Sequence, residues 1–255
     1  MITDPLFYAV AIPAVMLLGL AKGGFSGLGV LAVPIMALVI SPVQAASITL
    51  PILIVQDIVS VWVFRRWWDG RSLVILIPSA IVGIAIGYLL AAYVSANAVE
   101  LAIGVTSVAF GARQLWIRWH RITKPARSSD VAGIFWGTVS GFTSQIAHAG
   151  GLPFQIYMLP KKLDRDVLIG TSALYFASVN WLKVPVYFAL GQFTRANLYT
   201  SFVLFPLAVA STIAGAWAIR RVSGDKFYVL MYVVLVAIGA KLTWSGAAEL
   251  IDQIS

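Results

Sequence analysis

Long apolar runs separated by short polar connections dominate this chain. They occupy about 6–22, 25–40, 44–64, 72–93 and 98–117, and after one polar link they resume at about 131–147, 150–160, 166–190, 197–219 and 226–247. In a helix, about 20 apolar residues span the roughly 30 Å hydrocarbon core of a bilayer. Backbone groups in lipid must satisfy their hydrogen bonds internally, which leaves helices as the natural reading of these runs. The pattern predicts an all-α polytopic membrane protein with about 8–10 membrane segments.

The one hydrophilic stretch, 118–130, is too short for a domain and reads as a linker between two halves. Shifted by 128 positions, Pro78 falls on Pro206, Gly87 on Gly215, Gly111-Ala112 on Gly239-Ala240 and Trp116 on Trp244. At a slightly smaller offset, Gly24-Phe25-Ser26 matches Gly141-Phe142-Thr143, and Pro34 matches Pro153. Prolines and glycines that recur at one offset point to an internal duplication. The expected organisation is a first repeat at 1–119, a cytoplasmic linker at 120–130 and a second repeat at 131–255.

Charge orients these repeats. Arg65, Arg66 and Arg71 mark one connection, and Arg118, Arg121, Lys124 and Arg127 the link. Lys161, Lys162 and Arg165 mark a third connection, and Arg220, Arg221 and Lys226 a fourth. Cytoplasmic loops carry the excess of Lys and Arg. With these four loops inside, single crossings at 44–64, 72–93, 98–117, 166–190 and 197–219 alternate correctly, and both termini lie outside. The stretches 6–40 and 131–160 must then each return to the side they left, as a pair of short crossings or a re-entrant hairpin. Each half holds an odd number of full crossings, so the expected fold is two inverted-topology repeats, each a broken or re-entrant helical segment followed by three transmembrane helices. Inverted repeats with broken helices are characteristic of secondary transporters.

Composition narrows the chemistry. Of 255 residues, 60% are hydrophobic and 11% charged, against about 25% charged in soluble domains. The net charge of +8 resides largely in the short connections, so the bilayer and not nucleic acid is the expected partner. Cysteine is absent, which removes thiolate metal sites and cysteine nucleophiles, and two histidines cannot build a bis-histidine haem pair on each of two helices. Met1–Pro5 lacks a basic n-region, so a cleavable signal peptide is not expected. No Walker loop, zinc-binding His-Glu-x-x-His or Gly-x-Ser-x-Gly elbow occurs. No cofactor and no metal site are expected.

The candidate site lies at the two breaks. The first is the glycine-rich run Gly19–Gly29 and the second is Gly137–Gly151. Glycine clusters weaken helices, and broken backbone at membrane depth is tolerated where it is buried in protein or lines a polar cavity. A helix beginning at such a break presents free N–H groups and a positive dipole end, which suits an anion. Close helix packing is the other use of such glycines. The candidate substrate-binding residues are Lys22, Gly24, Ser26 and Gly27 from the first break and Thr143, Ser144, Gln145 and His148 from the second. Asn180 and Lys183 join them. Asp57, with Gln56 beside it, is the candidate coupling residue, because an ionisable group deep in a span usually marks a pathway or an ion pair. At an offset of 123, Asp57 falls on Asn180. Snorkelling to the interface remains a second reading for Lys22, and packing a second reading for His148. Trp67, Trp68, Trp116 and Trp119 read as interfacial anchors.

The chain resembles the sulfite exporter TauE/SafE family of bacterial membrane permeases. The residues that carry the resemblance are the Gly23–Gly29 run through Pro34, its second copy from Ser140 to Pro153, Pro51 through Asp57 with Arg65-Arg66, and Asn180 with Lys183 before Gly191. The resemblance implies a multi-pass permease of the bacterial inner membrane. It would move sulfite, sulfoacetate or a related sulfur-containing anion, usually outward, with proton coupling as an option. In the family the second motif is often richer in consecutive glycines; here Gln145 through His148 interrupt it. A homodimer is an allowed assembly, although the uniform apolar stripes single out no dimer face. The alternatives are an accessory subunit without transport of its own and a membrane-embedded enzyme acting on a lipid or quinone.

Overall fold

The computed structural model describes residues 2–24, 28–91, 93, 95–120, 129–218 and 225–254. Among these residues the fold is helical throughout. In the first half, α1 is Pro5–Lys22, α2 Ala32–Met36, α3 Pro42–Phe64, α4 Gly70–Ala91 and α5 Ala96–Trp119. In the second, α6 is Asp130–Ala147, α7 Gly151–Met158, α8 Arg165–Ala189, α9 Arg195–Ala218 and α10 Asp225–Ile254. Single 3-10 turns precede α2 at Leu28–Leu31 and follow α7 at Leu159–Lys161. α1, α3, α4, α8 and α9 are long and apolar enough to cross a bilayer. Of the loop cations that orient the repeats, Arg121, Lys124, Arg127, Arg220 and Arg221 lie outside the described residues.

Local signals explain where the helices begin. The Ser41, Ser95 and Ser129 side chains accept from the backbone N–H groups of Gln44, Ala98 and Ala132, and Pro42 opens α3. A serine cap satisfies one of the orphan donors at a helix start, and proline at the first position gives up none that was needed. Each break is a long helix followed by a short one. The five residues of α2 rise only about 7.5 Å and the eight of α7 about 12 Å. Neither is long enough to cross a bilayer by itself.

The principal helix pairings recur when the halves are exchanged. α1 packs on α9 as α6 packs on α4, and α3 contacts α9 as α8 contacts α4, while α3 meets α8 and α5 meets α10. Glycines set the closest approaches. Gly83 of α4 lies against Thr138 and Phe142 of α6, and Gly141 of α6 against Ala80 of α4; Gly19 and Gly23 of α1 lie against Ser211 and Gly215 of α9. These pairs run parallel. By contrast α3 and α8 run antiparallel. Phe64 and Trp67 carbonyls abut Gly170, Asp57 meets Asn180 in the middle, and Ala46 and Leu50 pack with Tyr187.

The α3–α4 connection is fastened to the start of α8. Asp69 N donates to Thr171 Oγ1 at 2.8 Å, and Lys161 Nζ donates to Ser72 Oγ at 2.7 Å while standing 3.9 Å from Asp69. Trp67, Trp68, Trp116 and Trp119 are exposed, as interfacial anchors require.

Candidate anion-binding site

Asp57 is the sixteenth residue of α3 and Asn180 the sixteenth of α8. Asn180 Nδ2 donates to Asp57 Oδ2 at 2.6 Å, and Lys22 Nζ donates to Asp57 Oδ1 at 2.5 Å. Both carboxylate oxygens are thereby engaged. Asp57 is 1% exposed, so an unpartnered charge there would cost several kcal/mol; the Lys22 side chain, 13% exposed, supplies the counter-ion. Lys22 is the last residue of α1, where a cation also complements the helix dipole. Its ammonium lies 5.1 Å from the ring centroid of Phe176, and its carbonyl accepts from Ser60 Oγ at 2.8 Å.

The second break is held by a different lysine. Lys183, three residues after Asn180 and fully buried, donates to the Ser144 carbonyl at 3.1 Å and to Ser144 Oγ at 3.0 Å, and it meets His148 Nδ1 at 2.6 Å. His148 Nε2 faces the Ala46 carbonyl at 2.9 Å. A carbonyl only accepts, so the ring proton sits on Nε2, and Nδ1 accepts from the ammonium. His148 adopts a left-handed backbone, φ 50°, at a cost of about 1–3 kcal/mol for a non-glycine residue. The Lys183 and Ala46 contacts hold it there. Tyr187 adds a third tie, its hydroxyl donating to the Gln145 carbonyl at 3.2 Å and its ring stacking 6.0 Å from that of His148.

Between the breaks lies a cavity of about 180 Å³. Its α8 wall is one helical face: Arg165, Leu168, Ile169, Ser172, Ala173, Phe176 and Asn180. At 1.5 Å per residue that face runs about 22 Å. Lys22, Gly24 and Ser60 face it from the first half, and Ser144, His148, Gly151 and Gln155 from the second. Gly24 turns through φ 127°, a conformation open to glycine and strained for other residues, which brings bare backbone to the wall. Lys22 and Arg165 are cations, each paired with a carboxylate set off the wall, Asp57 at 2.5 Å and Asp166 at 3.7 Å, and no carboxylate lines the cavity among the described residues. The lining therefore favours negative charge, with the buried Asp57 carboxylate set behind it.

Of the residues singled out in the sequence, Lys22, Gly24, Ser144, His148 and Asn180 come together on the cavity wall. Asp57 and Lys183 stand directly behind them. Gln56 turns the other way, its amide donating to the Val15 carbonyl of α1 at 3.3 Å. Thr143 spends its hydroxyl on the Val139 carbonyl of its own helix at 2.8 Å, and the Gln145 side chain packs on Gly87 of α4. Ser26 and Gly27 lie outside the described residues. Ser60, Gln155, Arg165 and Ser172 line the cavity without having been singled out. The helical spacing back from Asn180 marks Ser172 and Arg165. The glycines divide: Gly19, Gly23 and Gly141 serve packing, and Gly24, Gly29 and Gly151 the cavity.

No curated protein and no solved structure matches this chain. The family model for sulfite exporter TauE/SafE matches residues 11–242, a stretch that takes in both breaks and the whole of α3 and α8. The chain therefore belongs to the sulfite exporter TauE/SafE family, whose members are multi-pass membrane transporters and not enzymes.

Proposed function

We propose that this transporter moves a small sulfur-containing anion, sulfite or an organosulfonate such as sulfoacetate, out of the cell, and that the anion binds in the cavity between the two breaks. The observation that carries the reading is the arrangement of charge: Lys22 faces the cavity while its partner Asp57 is buried behind it. Repeats at 1–119 and 131–255, inverted relative to each other, would supply the two halves of the carrier. The antiparallel course of α3 and α8 supports that arrangement. The proposed location is the bacterial inner membrane with both termini outside, which turns the Arg165 end of the cavity to the cytoplasm.

An anion arriving past Arg165 competes with Asp57 for the Lys22 ammonium. Ser144 strengthens the site: its oxygen accepts from Lys183, which leaves its O–H to donate into the cavity. Charge-assisted hydrogen bonds of this kind are stronger than neutral ones. Asp57, deprived of Lys22 in a buried site, takes up a proton, and substrate charge is thereby linked to proton binding. Lys22, Lys183 and His148 are the other titratable groups around it. An inside-negative potential drives net negative charge outward by about 2.3 kcal/mol per charge per 100 mV. A dianion accompanied by one proton still moves one such charge.

The test is flux in proteoliposomes containing only this protein, loaded with sulfite, sulfoacetate, sulfate or chloride, with and without an imposed pH gradient. Selective flux of the sulfur anions, responsive to the gradient, is the expected result. Folded protein that moves none of the four would defeat the reading.

A further inference from the structure

The α8 wall of the cavity has a counterpart on α3. At the 123-residue offset that pairs Asp57 with Asn180, the α8 residues Leu168, Ile169, Ser172 and Ala173 fall on Ala45, Ala46, Thr49 and Leu50. A hydroxyl stands at the same place on both helices, Ser172 on one and Thr49 on the other. The surroundings differ. The four α8 residues line the cavity, whereas Ala45, Ala46, Thr49 and Leu50 are at most 3% exposed.

Tyr187 covers one edge of the α3 stripe, packing with Ala46 and Leu50, while Met36 of α2 covers the other, its sulfur 3.6 Å from Thr49 Oγ1. Tyr187 is the twenty-third residue of α8, and its counterpart on α3 is Phe64. Phe64 stands at the other end of the antiparallel pair, where Ile169 and Ala173 border the cavity. Both aromatics are buried, Tyr187 at 1% and Phe64 at 3% exposed, but the described cavity borders the α8 stripe at the Phe64 end and not the α3 stripe beneath Tyr187. The Tyr187 cover is reinforced by the bonds of Tyr187 to Gln145 and of His148 to Ala46.

We infer that the buried α3 stripe of Ala45, Ala46, Thr49 and Leu50 is the second half of the translocation path, and that Tyr187 is the gate that closes it. This rests on the carrier reading above. In the opposite access state, Tyr187 leaves Ala46 and Leu50, Thr49 faces an aqueous cleft, and Phe64 closes on Ile169 and Ala173. The Asp57–Asn180 contact lies at the meeting point of the two half-paths.

The chain has no cysteine, so single-cysteine variants report without background. Ser172→Cys and Thr49→Cys, with Ala46→Cys as a second small probe, would be reconstituted as full-length protein in sealed proteoliposomes of determined orientation. Each would be exposed to a membrane-impermeant maleimide from either side. The expected result is that Ser172→Cys reacts from one side only and that Thr49→Cys and Ala46→Cys react from the other, slowly. Adding Tyr187→Ala should speed the reaction at Thr49→Cys and Ala46→Cys several-fold, while Tyr187→Phe, which keeps the ring, should not. Reaction of the α3 probes from the same side as Ser172→Cys would overturn the inference. So would their continued inertness with Tyr187→Ala in protein that elutes as a folded species. Failure of this inference is separable from failure of the cargo reading: anion flux with inert α3 probes removes the path alone, and labelling from opposite sides without anion flux removes the cargo alone.

Discussion

Asn180 Nδ2 donates to Asp57 Oδ2 at 2.6 Å, and the two residues hold the same position on helices that run antiparallel. In the proposed inverted repeats, this contact is where the pseudo-twofold axis would pass. One half of the chain places an acid there and the other an amide, and the acid takes the lysine of its own half.

Replacing that acid tests its role directly. Asp57→Asn leaves Lys22 without its counter-ion, and flux should fall roughly tenfold or more, equivalent to about 1.4 kcal/mol in the barrier, with loss of the response to a pH gradient. The double variant Asp57→Asn/Asn180→Asp returns a carboxylate to the same contact and should recover part of the flux. Measurements in proteoliposomes decide it; a double variant no better than the single would show that the side of the contact, and not only its charge, matters.

Lys183 makes all its polar contacts with the end of α6 and stands behind the cavity wall. Lys183→Met strands His148 Nδ1, an unsatisfied buried group costing about 1–3 kcal/mol, while the Ser144 carbonyl keeps the His148 N–H at 3.1 Å. The expected outcome is a lower unfolding temperature in detergent and a lower maximal flux, with the half-saturating anion concentration little changed. A large rise in that concentration with unaltered stability would instead place Lys183 against the substrate.

The glycines should separate into two classes. A Cβ at Gly83 would run into the Thr138 carbonyl of α6, and overpacking of this kind costs about 1–3 kcal/mol or more, so Gly83→Ala should unfold at a distinctly lower temperature. A Cβ at Gly151 meets nothing within 4 Å, and Gly151→Ala should keep the stability of the parent. Thermal unfolding in detergent compares the two.

Arg165 opens α8, its side chain 59% exposed, at one end of the cavity's α8 wall. A cation there attracts an anion at a distance, an effect that salt screens. Arg165→Gln should reduce flux at low anion concentration more than at saturation, and raising the ionic strength should shrink the difference between variant and parent.

The helices were largely legible because lipid imposes one simple rule on their surfaces. The apolar run 44–64 corresponds to α3, which occupies Pro42–Phe64, its start fixed by Ser41 and Pro42. The last apolar run ends at 247 but its helix runs to Ile254, because Glu249 and Asp252 belong to its final turns and a hydropathy pattern ends where charge begins. The faces of the helices were far less legible. Gln145 turns toward Gly87 and Thr143 toward its own backbone, while Ser144 between them meets the cavity. When every face is apolar, neither lipid nor protein contact leaves a periodic trace. The offset that pairs Asp57 with Asn180 survived as a signal because polar residues in a span are few.

The two ends of the α3–α8 pair are fastened unequally. At one end Lys183, His148 and Tyr187 together tie the α6 tail to α8 and α3 through buried contacts; at the other the ties are the half-buried ones of the α3–α4 connection, Asp69 to Thr171 and Lys161 to Ser72. In the proposed carrier, unequal ties of this kind would set a preferred resting side. By population arithmetic, ligand reaching the favoured orientation binds at its intrinsic affinity, whereas ligand on the far side sees that affinity diluted by the rarity of the receptive form. The asymmetry cannot by itself concentrate anything, since only the ion gradients do work. In the proposed carrier it would make transport respond to concentration on one side of the membrane, with apparent affinities that differ when the same anion is offered from either face.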